Sequence, residues 1–173
     1  MPIRFVTEAV MLAVYGNLLV PEKPVEFLVP ASTIADLYEY LEDPEPIVAD
    51  LDPEELRETI KRLIEFFELP FFSKQIQNAL LVPWRKTAAL PLADHVTVAV
   101  LNTVEDAEYG EEVNEIDTEL ILAAAREKAL LLTDQFELVD RILEQGIPVI
   151  VVDIEDFEYA VENGLDRQLD HLS

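Results

Sequence analysis

The stretch from Asn114 to Asp156 leaves the chain few ways to fold. Ile116, Leu120, Ile121, Ala124 and Ala125 recur at three- and four-residue steps, which predicts a helix over 116–128. Leu130, Leu131 and Leu132 follow as a short, wholly apolar run, suited to a strand buried on both faces of a parallel sheet. Thr133 or Asp134 is placed to cap a second helix over 136–145. Gly146 ends that helix, and Pro148 opens a second buried strand over 148–152. Two parallel strands joined through a helix form a right-handed crossover. Sheets of this kind bind ligands where their strands run out at the carboxyl ends. Asp134 and Asp153 fall at those ends, and Asp117 falls near the start of the helix that feeds the first strand.

The preceding residues supply the rest of an α/β sheet. Strands are expected at 3–6 and 25–29, with a helix over 8–15 between them. A helix over 31–42 carries Ile34, Leu37, Tyr38 and Leu41 inward. Asp52, Pro53 and Glu55 make the strongest helix start in the chain: an N-cap, a proline at the first turn and a glutamate three residues after the cap. That helix runs to about Glu68 with Leu56, Ile60, Leu63, Ile64 and Phe67 on its core face, and Pro70 stops it. A further helix is expected over 71–81. Residues 95–104 read two ways. Val96, Val98 and Val100 alternate as in a strand, but Asp94 is a good helix cap, and the helical reading is preferred. A last helix is expected over 156–163, then an amphipathic tail over 165–173. The expectation is one domain, 1–173, with 53–90 as a helical middle segment.

Composition removes several functions. There is no cysteine, hence no disulfide, thiolate metal site or cysteine nucleophile. No glycine-rich phosphate loop occurs among four glycines, and no serine sits in a nucleophile turn. His95 and His171 have no partner at ligand spacing. No membrane span is long enough, and Met1 to Val20 lacks the pattern of a secretory leader, so a cytoplasmic protein is expected. Thirty-six acids against twelve bases give a net charge of −24, which repels nucleic acid at long range and attracts divalent cations or a basic partner protein. Eight of the acids lie within 105–119. Half the bases, including Arg57, Lys61, Arg62, Arg85 and Lys86, lie within residues 57–86, the place where a polyanion such as RNA would touch.

The order Asp117, alanine-rich helix, leucine strand, Thr133-Asp134-Gln135-Phe136, helix and Pro-Val-Ile-Val strand resembles the PIN-domain family, most clearly over 114–152. The resemblance implies a three-layer α/β fold with a central, mainly parallel sheet. It also implies a ribonuclease whose three or four acids hold Mg2+ or Mn2+ at the sheet's carboxyl edge. Matched to the family pattern, Asp36 and Asp117 take two of the acid positions. Glu8 stands where the family's first strand ends in Asp, without the residues that usually follow. Gln135 stands at the fourth acid position, beside Asp134. The metal and catalytic set implied is thus Asp36, Asp117 and Asp134, with Glu8 assisting at the metal. The alternative is a PIN-like module without catalysis that binds a partner or forms a homo-oligomer through the apolar runs 69–72 and 80–84.

Overall fold

The computed structural model describes residues 2–42, 52–103 and 115–163. The acidic stretch 104–114 and the tail 164–173 lie outside the described residues.

Six strands form one sheet: β1 (Ile3–Val6), β2 (Val25–Pro30), β3 (Leu90–Ala93), β4 (Val96–Leu101), β5 (Leu130–Leu132) and β6 (Val151–Val152). Their spatial order is β3-β4-β2-β1-β5-β6. Every pairing is parallel except that of β3 with β4. The chain therefore builds outward from β1 in one direction, to β2 and β4, then returns to lay β5 and β6 on the other side. The strand order reverses between β1 and β5, and sheets of this kind collect ligands in the crevice outside the carboxyl ends at such a reversal.

Alternate residues of each strand face opposite layers. Phe5, Phe27, Val98, Leu130 and Leu132 point into one core, with α2 (Ala31–Glu42), α3 (Pro53–Glu68) and α7 (Ile154–Asn163) packed over them. Val6, Leu28, Ala99, Leu101 and Leu131 point into the other, under α5 (Glu115–Glu127) and α6 (Phe136–Gln145). The result is a three-layer α/β fold, as expected. Phe5, Phe27 and Phe157 fasten α7 to the sheet, with the Phe5 and Phe157 ring centroids 4.9 Å apart. Burying one such ring contributes roughly 1.5–3 kcal/mol.

The cap at Asp52 forms as expected: its carboxylate accepts from the Glu54 amide, and all five core-facing residues of α3 are buried. Gly146 ends α6 at φ 63, a left-handed conformation that costs glycine least. The helix after α3, α4 (Pro70–Ala79), buries only Ala79 among its residues. No described helix is long and apolar enough to cross a membrane.

Five expectations are corrected. Residues 96–101 are strand, not helix. Asp94 and His95 form the two-residue turn between β3 and β4, with His95 at φ 64, so Asp94 opens a hairpin where a helix cap was expected. β4 is paired on both edges, by β2 and β3, and each of its faces packs into one of the two core layers, so Ala99 and Leu101 are as buried as the valines. The helix expected over 8–15 contracts to α1 (Met11–Val14), followed by a 3-10 turn over Gly16–Leu19. The residue preceding α6 is Gln135, and no side chain caps that helix: the Thr133 hydroxyl accepts from the Gln135 amide itself, and Asp134 is taken by Tyr15. β6 keeps only two of the five residues expected: Pro148 has no N–H to offer the ladder, and the Val149 amide turns back to the Ile147 carbonyl. Tyr38 points outward, and its hydroxyl donates to Glu68 Oε1 at 2.6 Å.

Candidate functional site

The crevice is built from the exits of β1 and β5 and the first turns of α2 and α5. β1 is paired with β5 at Phe5–Leu130 and Val6–Leu131. At the next step the Thr7 hydroxyl, wholly buried, donates to the Leu132 carbonyl at 3.0 Å. This bond continues the junction by side chain where the strands part. The Ala9 amide donates to Thr33 Oγ1 at 3.1 Å, and Thr33 Oγ1 donates to the Pro30 carbonyl at 2.8 Å. The loop carrying Glu8 is thereby pinned to the start of α2.

Ser32, Asp36 and Tyr40 recur at four-residue steps and share one face of α2. Ser32 Oγ donates to Glu119 Oε2 at 2.5 Å, which ties α2 to α5. Glu119 is only 7% exposed, and a buried carboxylate needs such a donor. Burial, then the charges of Glu8, Asp36 and Glu39, raise the Tyr40 phenol above its ordinary range. Burial, then the charge of Glu39, likewise raise the Asp36 carboxyl. Glu8 and Asp36, far apart in sequence, thus act on the same phenol. Gln135 Nε2 donates to Glu8 Oε1 at 3.4 Å, so a neutral amide lies against this carboxylate.

Asp134 takes another direction. Its Oδ2 accepts from the Tyr15 hydroxyl at 2.7 Å, and with Asp153 and Asp156 it lines a separate cavity of about 450 Å3 at the ends of β5 and β6. Burial, then the bond and charge of Asp134, push the Tyr15 phenol up to about 12. Asp153 and Asp156 exchange side-chain to main-chain bonds across the start of α7, a local cap. Asp117 lies in the first turn of α5, two residues before Glu119, and its side chain is outside the described residues.

The donor set at the crevice consists of carboxylate, hydroxyl and amide oxygens, the ligand type that Mg2+ and Mn2+ take. In kind the residues fit such an ion. In number, among the described residues, no three histidine, aspartate or glutamate side chains converge to hold one.

The five bases do not assemble into one strip. Arg57 lies 3.8 Å from Glu54, and Arg62 shares the outer face of α3 with Glu54, Glu55 and Glu58. Lys61 is exposed on α3. Arg85 donates to the Asn78 carbonyl at 3.3 Å. Lys86 pairs with Glu127 at 2.7 Å. Glu127 lies eight residues beyond Glu119, about 12 Å along α5 at the usual helical rise. Sequence reasoning missed Ser32, Tyr40 and Glu119. The one available signal was that Glu119 shares a helix face with Ala123, four residues on.

Comparison of the chain with family models and with curated proteins returns no match.

Proposed function

We propose that the chain is a PIN-like ribonuclease dependent on Mg2+ or Mn2+, with Glu8, Asp36 and Asp117 as the metal-holding acids. The observation that carries this reading is the meeting of β1, α2 and α5 at one crevice. Glu8 and Asp36 both help to keep the Tyr40 phenol neutral, and the Ser32–Glu119 bond ties α2, one turn before Asp36, to α5, two residues after Asp117. A bound divalent ion would supply an activated water and neutralise the phosphodiester's charge. The chain's own contribution is orientation. Gln135 steadies Glu8, and the Thr33 bonds hold the loop rigid. Asp134, bonded to Tyr15, belongs to the neighbouring cavity and is left out of this set.

The test is a thermal melt with EDTA against millimolar Mn2+, paired with cleavage of single-stranded RNA. Mn2+ is expected to raise Tm by a few degrees, and Asp36→Asn to abolish both the shift and the cleavage. Cleavage that survives unchanged in Asp36→Asn and Asp117→Asn would overturn the assignment.

A second reading, a non-catalytic module, is favoured by two observations: a neutral amide faces Glu8, and an apolar surface is uncovered on and after α4. Phe71 is 64% exposed and Leu81 76%. Phe72 instead packs on Phe66, and Trp84 lies under the Arg126 guanidinium, 4.2 Å from its ring centroid. On this reading the chain self-associates or meets a partner protein there. Its mass by light scattering should then fall to that of one chain in Phe71→Glu/Leu81→Glu, with no response to Mn2+.

A further inference from the structure

The starts of β1, β2, β5 and β6 surround a cavity of about 790 Å3, at the opposite edge of the sheet from Glu8 and Asp36. That volume falls within the range of small-molecule sites, about 300–1,000 Å3. Its walls are aliphatic, Ile3, Ala124, Leu130, Ile150 and Val161 among them. The charged side chains that line it are Arg4, Lys23 and Lys128, all cationic, in a chain where acids outnumber bases three to one.

The three cations are not equivalent. Arg4 is already neutralised, by Glu26 at 3.0 Å and Glu127 at 2.8 Å. Lys23 gives one of its three N–H donors to the Glu162 carbonyl at 3.0 Å. Among the described residues neither Lys23 nor Lys128 forms an ion pair. Lys128 also stands just past the end of α5 at φ 54, a left-handed helix stop where glycine is usual and a side chain is disfavoured. A lysine at this position faces a cavity that offers it no anion. Among the described lining residues there is no aromatic ring to stack on a base and no hydroxyl or amide to read a sugar.

We infer that this cavity binds an aliphatic carboxylate, with its hydrocarbon chain against the Ile3, Leu130 and Ile150 walls and its single acidic head at Lys23 and Lys128. The inference is independent of the ribonuclease reading, which concerns the other edge of the sheet.

The test titrates the full chain with dodecanoate, kept below its micelle-forming concentration, by calorimetry and thermal melting. Dodecyltrimethylammonium and dodecanol are the charge controls. Saturable binding of one dodecanoate per chain and a rise in Tm are expected, with neither control binding as tightly. Lys128→Gly should melt at least as high as the parent without ligand, because glycine suits the left-handed stop, yet bind dodecanoate at least about fivefold more weakly. Lys23→Gln should show a comparable loss of affinity, and Ala125→Phe should abolish binding by filling the space. Absence of saturable dodecanoate binding, equal binding of dodecyltrimethylammonium or dodecanol, or an unchanged Kd in both lysine variants would overturn the inference.

Discussion

Replacing Thr7 by valine removes one oxygen and nearly nothing else. The side chain is wholly buried, and valine has almost its volume and the same β-branched shape. What disappears is the 3.0 Å bond to the Leu132 carbonyl at the point where β1 and β5 part. A buried acceptor left without that donor costs about 1–3 kcal/mol. For a domain of this size that lowers Tm by about 2–12 °C. Urea denaturation followed by circular dichroism measures the stability change. Native-state hydrogen exchange should show the β5 amides opening sooner than those of β2, because the lost bond lies on the β5 side of β1. Thr7→Ser keeps the oxygen and sheds a methyl, so it should lose only about 1 kcal/mol and leave β5 exchange where it was. A Thr7→Val protein as stable as the parent, with unchanged β5 exchange, would refute the view that this hydroxyl holds the crevice together.

Three other outcomes follow from the same structure. Burial alone would raise the Glu127 carboxyl, but the bond and charge of Lys86 and the charge and bond of Arg4 outweigh it and hold it below its ordinary range. Its contribution is therefore full above the unfolded value, about 4.3, and lost as pH falls through the folded one. Glu127→Gln should cost about 1–2 kcal/mol at pH 7 after allowance for the half-exposed Lys86, and the difference in urea midpoints should vanish toward pH 3. Phe157→Ala, at 2% exposure against Phe5 and Phe27, should cost about 3–5 kcal/mol by denaturant titration, and a loss under 1 kcal/mol would show that α7 is not fastened by that ring. The Tyr15 phenol, raised to about 12, lends stability that is present below pH 10 and lost as pH climbs through 12; ultraviolet titration of Asp134→Asn should show that phenol ionising earlier than in the parent.

How much was legible depended on whether the cue was local. The start of α3 was readable because Asp52, Pro53 and Glu55 act within one turn, and the cap forms at Asp52. The leucine strand was readable because only a doubly covered strand tolerates Leu130, Leu131 and Leu132 together, and all three are buried. β4 was misread because Asp94 serves a helix cap and a hairpin turn equally well, and only the neighbours β2 and β3 decide between them. At the crevice, Asp36 could be named only because it fell at a position the family resemblance implied, and nothing named Glu119. It is one acid among thirty-six, and its distinction is a hydroxyl 87 residues earlier in the chain. Asp134 and Gln135 show how fine the margin is: adjacent residues leaving one strand, one turned to Tyr15 and the other to Glu8.

The central position of β1 has a consequence for how the protein is made. Its partner on one side, β2, emerges from the ribosome soon afterwards, but its partner on the other, β5, is more than a hundred residues downstream. Until Leu130–Leu132 is synthesised, Ile3–Val6 presents a bare main-chain edge in the middle of what will become the sheet. Contacts this distant are slow to form, and an open edge invites pairing with another nascent chain. Arrest of translation before residue 130 should therefore yield a species that chaperones retain, and release should coincide with delivery of the leucine strand.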